Sequence, residues 1–247
     1  FIAYVDRTNV AFAALTMNKD LGISAYLYGW GAGIFFLGYA LFEVPSNMIL
    51  AKVGARRWIA RIMLTWGLIS GAMAFATGPT SFLVLRFLLG VAEAGFFPGI
   101  IFYLSTWYPA AYRARVISAL FIAVPISNAA ASIISGAILE MDGILGLKGW
   151  QWVFIIEAMP AVLLSFVVWQ RMIDRPADAK WLSPDEREWL DGQLRAERNK
   201  VESSGHMSLW RALTDRRVLV LAMIYMTSVT ASYGIVFFLP QIVKGLG

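Results

Sequence analysis

Read as apolar and polar positions, the chain is a series of long apolar runs separated mostly by short polar connections. About 20 residues with few charges are needed to cross a bilayer as a helix. Six runs meet that length: Tyr28–Leu50, Trp58–Thr77, Ser81–Tyr108, Ala114–Leu139, Trp150–Met172 and Val218–Ile242. A seventh, Phe1–Leu15, opens the chain without Met or a polar flank and is too short to span by about a turn or more. Its natural span is expected to start upstream. A secretory signal would need a basic start and an uncharged apolar core, and Asp6 and Arg7 inside this run argue against one.

One connection is long and polar. Within Ile173–Arg217, Ser183-Pro184-Asp185-Glu186 reads as a helix start, with a capping Ser, Pro at the first helical position and Glu at the third. Trp189, Leu190 and Leu194 then form an apolar stripe. A cytoplasmic helix is therefore expected to about Lys200, lying on the membrane surface or against neighbouring loops.

Composition sharpens this picture. Of 247 residues, 59% are hydrophobic and 15% charged, against about 45–50% and about 25% in a soluble domain. An ordinary soluble domain and a disordered chain are both excluded. The net charge of +5 could mean nucleic acid, anionic lipid or an acidic substrate, so the placement of the cations decides. Sixteen Lys and Arg fall in or at the edges of alternate connections, the long polar stretch among them, whereas Lys19, Lys148 and Lys244 fall on the other side and Arg7 and Arg86 lie inside runs. By the positive-inside rule the first group, and with it the N-terminus, is cytoplasmic. Topology thus accounts for the positive charge, and nucleic-acid binding loses its support. Trp58, Trp107, Tyr108, Trp150 and Trp152 near the run ends fit an interfacial aromatic belt.

The absence of cysteine excludes disulfides, thiolate catalysis and Cys-ligated metal centres. The one histidine, His206, lies in the polar stretch Ser203-Ser204-Gly205-His206 and reads as part of a solvated loop. Gly29-Trp30-Gly31-Ala32-Gly33 follows no strand and lacks the spacing of a phosphate loop. Small residues four apart, Gly29/Gly33, Gly67/Gly71 and Gly95/Gly99, read instead as sites of close helix packing. Pro45, Pro98, Pro125 and Pro160 inside or near the ends of apolar runs predict bends.

The informative residues are the ionisable groups at membrane depth, since a lone charge near the bilayer centre costs about 2.5–3.5 kcal/mol or more. These are Asp6, Arg7, Arg86 and Glu93. Arg86 and Glu93 stand two helical turns apart on one face; Tyr4 and Arg7 share a face, and Asp6 points about 100° away from Arg7. Two arginines at depth suit a carboxylate, which a guanidinium binds through two parallel hydrogen bonds. Asp6 and Glu93 are then candidates to take up and release a proton. The bland alternative is that each Arg neutralises an acid and fixes packing. Glu43 and Glu157 are weaker candidates, with capping or contact with the Arg-rich loops expected for both.

Several motifs together resemble a family. The loop Asn47-Met48-Ile49-Leu50-Ala51-Lys52-Val53-Gly54-Ala55-Arg56-Arg57 resembles the loop between helices 2 and 3 of the major facilitator superfamily, with Ala51 where Asp is usual and Asn47 where Gly is usual. Asp6-Arg7-Thr8-Asn9-Val10, Glu43-Val44-Pro45-Ser46-Asn47, Arg86-Phe87-Leu88-Leu89-Gly90-Val91-Ala92-Glu93-Ala94-Gly95 and Arg171-Met172-Ile173-Asp174-Arg175-Pro176 resemble the anion:cation symporter family, with its bacterial tartrate- and phthalate-type permeases. The resemblance covers the whole chain.

It implies an all-α membrane protein, a helical bundle of two six-helix halves, each built from inverted three-helix repeats. Residues 1–172 would be the N-terminal half with a truncated first helix, 173–217 a cytoplasmic linker with a surface helix, and 218–247 helix 7. The chain would then be just over half of a transporter. The resemblance implies proton coupling through Asp6 and Glu93, and substrate contacts from Arg7, Arg86, Tyr4 and Tyr39, with Ser127 and Asn128 as further candidates. Lys52, Gly54, Arg56 and Arg57 would belong to the gating loop, whose usual charge latch is put in question by Ala51. The expected activity is uptake of a small organic carboxylate with protons by a monomer in the inner membrane, without cofactor or metal. Sodium coupling is the variant within that class. A membrane-embedded enzyme or sensor is the other class, and the lack of Cys, a usable His or a catalytic motif argues against the enzyme.

Overall fold

The structure is a computed structural model and describes residues 1–203 and 209–246. His206 lies outside them. Among the described residues the regular elements are helices: α1 (Ile2–Asp20), α2 (Ala25–Val53), α3 (Ala55–Ala72), α4 (Pro79–Glu93), α5 (Phe96–Trp107), α6 (Ala110–Leu139), α7 (Gly149–Arg171), α8 (Pro184–Ser203), α9 (Leu209–Thr214) and α10 (Arg216–Leu246). Six stretches are long and apolar enough to cross a membrane: α2, α3 with a short 3₁₀ extension, α4 with α5, α6, α7 and α10. The opening run continues as helix past its apolar part, so α1 has 19 residues. At 1.5 Å per residue that is about 28 Å.

The run expected as one continuous span, Ser81–Tyr108, is broken. Helix α4 stops at Glu93, and α5 starts at Phe96 after Gly95, whose φ of +84° suits a residue without a Cβ. Pro98 supplies the reason, because it has no N–H to give the carbonyl of Ala94 four residues back and its ring would crowd that carbonyl. Pro45, Pro125 and Pro160 sit inside helices that remain continuous.

The closest helix pairs are α3 with α7, α2 with α4, α1 with both α7 and α6, and α3 with α4. Exchanging the first three spans (α1, α2, α3) with the second three (α4–α5, α6, α7) maps α3–α7 onto itself and converts each of the other pairings into another member of the set. The pattern is that of two three-helix units related by a pseudo-twofold operation. Close approach of α2 and α4 depends on Gly31, Gly38 and Gly90: a Cβ at Gly38 would lie 2.6 Å from the carbonyl oxygen of Phe87, and one at Gly90 would overlap the carbonyl of Phe35. This face differs from the expected Gly29/Gly33 pair, since a Cβ at Gly33 would meet nothing within 4 Å among the described residues and one at Gly29 would face Phe238 of α10. Gly67 does pack tightly, against Val162 of α7.

The stretch between α7 and α10 is stitched to the bundle. Tyr103 and Trp107 of α5 donate to the carbonyl of Ile173, and the Asp174 carboxylate accepts the Arg56 N–H at 2.7 Å. Trp181 stacks on Trp107, with ring centroids 5.8 Å apart. Helix α8 begins at the expected box, Ser183 Oγ accepting the Glu186 N–H and the Glu186 carboxylate accepting the Ser183 N–H. Farther along, Glu197 accepts the Ala110 N–H and pairs with Arg113, so α8 lies against the α5–α6 connection.

Candidate functional site

Arg7 stands at the centre of the bundle's buried charges. One guanidinium nitrogen pairs with the Glu93 carboxylate and another donates to the Tyr233 hydroxyl at 2.8 Å. The rings of Tyr39, Phe35, Tyr4 and Tyr233 surround it, with centroids 5.3, 5.5, 5.7 and 5.8 Å from its central carbon. Such an aromatic box stabilises a cation away from water. Glu93 is the last residue of α4, where the negative end of the helix dipole opposes a carboxylate. Arg7 supplies the compensating charge.

Arg86 is fully buried. Its Nε donates to the carbonyl of Gly31 at 3.1 Å, and its guanidinium sits 4.8 Å from the centroid of Phe35, the ring that Arg7 also contacts. Nη1 and Nη2 of Arg86 have no acceptor among the described residues. A buried donor without an acceptor costs about 1–3 kcal/mol, more for a charged group. The fork keeps two donor nitrogens unused among the described residues. The three groups Arg7, Arg86 and Glu93 together carry one net positive charge when ionised.

Asp6 faces elsewhere. It accepts from the Trp66 indole at 2.8 Å, the Ser70 hydroxyl at 2.5 Å and the Asn9 amide at 3.3 Å, so it lies between α1 and α3, outside the aromatic box. Asn128, on α6, makes no hydrogen bond to either arginine, and the Ser127 hydroxyl donates to its own helix at the Ala123 carbonyl. Glu43 is half-buried, one turn beyond Tyr39 and near enough to feel the charge of Arg7. Glu157 is not at the Arg-rich loops, as was expected, but buried in α7 with its carboxylate accepting from Ser135.

In the loop between α2 and α3, Gly54 has φ +96° and ends one helix while starting the next. Lys52 and Arg57 are exposed, and Arg56 uses its backbone N–H rather than its charge. Asp174 of the linker accepts the Arg56 N–H and so caps the start of α3. A recess of about 710 Å³ lies there, between that loop, α5 and α8, apart from the Arg7 cluster.

Tyr233, Phe35, Trp66 and Ser70 take part in these clusters and are not singled out by sequence reasoning. A faint signal existed for Trp66: it stands in the middle of an apolar run, away from the interfacial belt where Trp is usual.

A family model described as Major Facilitator Superfamily matches residues 1–247. A protein named "Putative tartrate transporter" from Agrobacterium vitis is 57% identical over the whole chain, which covers 57% of that relative. "Quinolone resistance transporter" of Acinetobacter baumannii is 46% identical and "Inner membrane transport protein RhmT" of Escherichia coli 42%; the chain covers 57% and 56% of them. The chain therefore spans little more than half the length of these relatives. Among solved structures, a bacterial homolog of the human lysosomal transporter Spinster, inward-facing and occupied, superposes with a TM-score of 0.63 at 23% identity, covering 76% of this chain and 44% of that one. That likeness concerns the fold alone.

Proposed function

The chain belongs to the Major Facilitator Superfamily, a family of transporters rather than enzymes, and from that premise we propose that the full-length protein carries a small organic carboxylate inward across the inner membrane together with one or more protons. The observation that carries this reading is the Arg7–Glu93 pair beside the unpaired fork of Arg86. The relative from Agrobacterium vitis has tartrate in its name, which supports a small hydroxylated dicarboxylate as the first substrate to try.

The geometry suggests how binding and protonation are linked. Glu93 and an incoming carboxylate compete for the Arg7 guanidinium. A proton on Glu93 weakens its hold on Arg7 and frees that cation for the substrate; a substrate on Arg7 in turn makes the charged form of Glu93 costly. Each ligand therefore favours the other, which is the thermodynamic requirement for symport. Arg86 offers a second, bidentate contact, and Tyr4 and Tyr39 line the approach. Residues 1–172 form the N-terminal half in this reading, 173–217 the linker and 218–247 the first helix of the other half. The excess of Lys and Arg supports a cytoplasmic linker in this reading.

Uptake of labelled tartrate into proteoliposomes holding the full-length protein tests this. Uptake should rise as the outside pH falls at constant inside pH. A flat profile between about pH 5 and pH 8, where carboxyls in proteins commonly change charge, would remove proton coupling from the account.

A further inference from the structure

A second buried polar cluster stands behind the Arg7 site. It joins Asp6 and Asn9 of α1, Trp66 and Ser70 of α3, Ser135 of α6 and Glu157 of α7, and none of these residues is more than 4% exposed. Asp6 accepts from Trp66, Ser70 and Asn9; Glu157 accepts from Ser135 at 2.6 Å. The Asn9 amide also faces Glu157, and the two carboxyls are near enough for their charges to interact. From α4, Arg86 and Glu93 reach Asp6 only through space. Among the described residues no Lys, Arg or His pairs with Asp6 or Glu157.

Two counts point the same way. Asp6, Glu93 and Glu157 are three buried acids against the two guanidiniums of Arg7 and Arg86, which stay charged. An isolated buried carboxylate is so costly that the group takes a proton instead. The second count concerns hydrogen bonds: Asn9 Oδ1 and Glu157 Oε2 are both buried acceptors with no partner among the described residues. One proton on Glu157 Oε2 provides the donor that both lack. The Asn9 amide then gives its N–H to the ionised Asp6 and its oxygen to the protonated Glu157.

We propose that Glu157 is a proton-holding residue that shares one proton and one negative charge with Asp6 across Asn9, behind the carboxylate site. This deepens the proton-coupled reading and rests on it. The pair gives the bundle a store for a proton that does not compete for Arg7.

Infrared difference spectra of the full-length protein in lipid vesicles, taken over a pH series, read the proton directly. A carboxylic-acid carbonyl band present at neutral pH should be lost in Glu157→Gln. In Asp6→Asn the band should remain, with its titration midpoint moved by about one pH unit or more, as expected for coupled sites. This second variant leaves Glu157 in place and decides the matter if Glu157→Gln does not fold. Retention of the whole band in Glu157→Gln, or an unmoved midpoint in Asp6→Asn, would overturn the proposal. So would removal of the band on exchanging choline for sodium, which would make the cluster a cation site. The two readings fail separately: proton-driven uptake without the Glu157 band ends this inference alone, whereas pH-independent uptake ends the symport reading whatever the spectrum.

Discussion

Arg86 combines full burial with an unpaired fork, and its chemistry is open to a direct comparison with lysine. Lysine keeps the charge but loses the planar pair of donors. Arg86→Lys should therefore raise the KM for tartrate by about tenfold or more, the loss of a charge-assisted hydrogen bond being about 1.5–3 kcal/mol, and lower the melting temperature through the lost Nε bond to the Gly31 carbonyl. An unchanged KM would take Arg86 out of the binding site. Arg7 makes a different prediction because its partner is buried. Arg7→Ala strands Glu93 and should cost about 3–5 kcal/mol of stability, while Arg7→Ala with Glu93→Gln should cost clearly less. Thermal melting of the wild type, Arg7→Ala, Glu93→Gln and the double variant in detergent measures the difference; equal losses in Arg7→Ala and the double variant would mean the pair is not coupled. At this scale the sequence is informative about which residues matter, since charges in apolar runs stand out, and the 100° step per residue separates Asp6 from Arg7. Their partners are less legible. That Asp6 meets Trp66 and Ser70, and Arg7 meets Tyr233, depends on how α1 settles against α3 and α10, and no spacing within one helix encodes it.

Among the elements, the apolar runs and the α8 start are legible because length and capping are local properties. The break between α4 and α5 is legible only in hindsight, from Pro98 and Gly95 read together. Gly95 carries a positive φ and lies against Ser46, from which an added Cβ would be 2.5 Å. Gly95→Ala should lower stability by about 1–2 kcal/mol from the left-handed backbone alone, seen as a lower melting temperature with reduced uptake; wild-type values would mean that the break tolerates a side chain. Helix α8 offers a test outside the membrane. The Ser183 N–H holds the Glu186 carboxyl below its ordinary range. A carboxyl lowered on folding contributes stability that is present above its unfolded value, about 4.3 for Glu, and disappears as pH falls through the folded one. Ser183→Ala should cost about 1 kcal/mol of helix stability and speed hydrogen exchange in the first turn of α8. An unaltered exchange rate would show that the packing of Glu197 and Leu194 alone holds this helix.

Over the whole molecule, the pairing of helices repeats when the first three spans are exchanged with the second three, and the Arg7–Glu93 contact joins the first span of one unit to the first span of the other. Asymmetry of Lys and Arg, legible in the sequence, is what supports the proposed orientation of the bundle; the pseudo-twofold pairing is not legible there, because it lies in contacts between helices rather than in any local spacing. The most direct measurement compares two modes of tartrate transport by the full-length protein in the same proteoliposomes: accumulation driven by a proton gradient, and counterflow exchange with no gradient. Glu93→Gln, which removes the proposed coupling acid and leaves both arginines, should lose driven accumulation and keep counterflow, whereas Arg86→Ala should lose both. Driven accumulation by Glu93→Gln at the wild-type level would contradict the account.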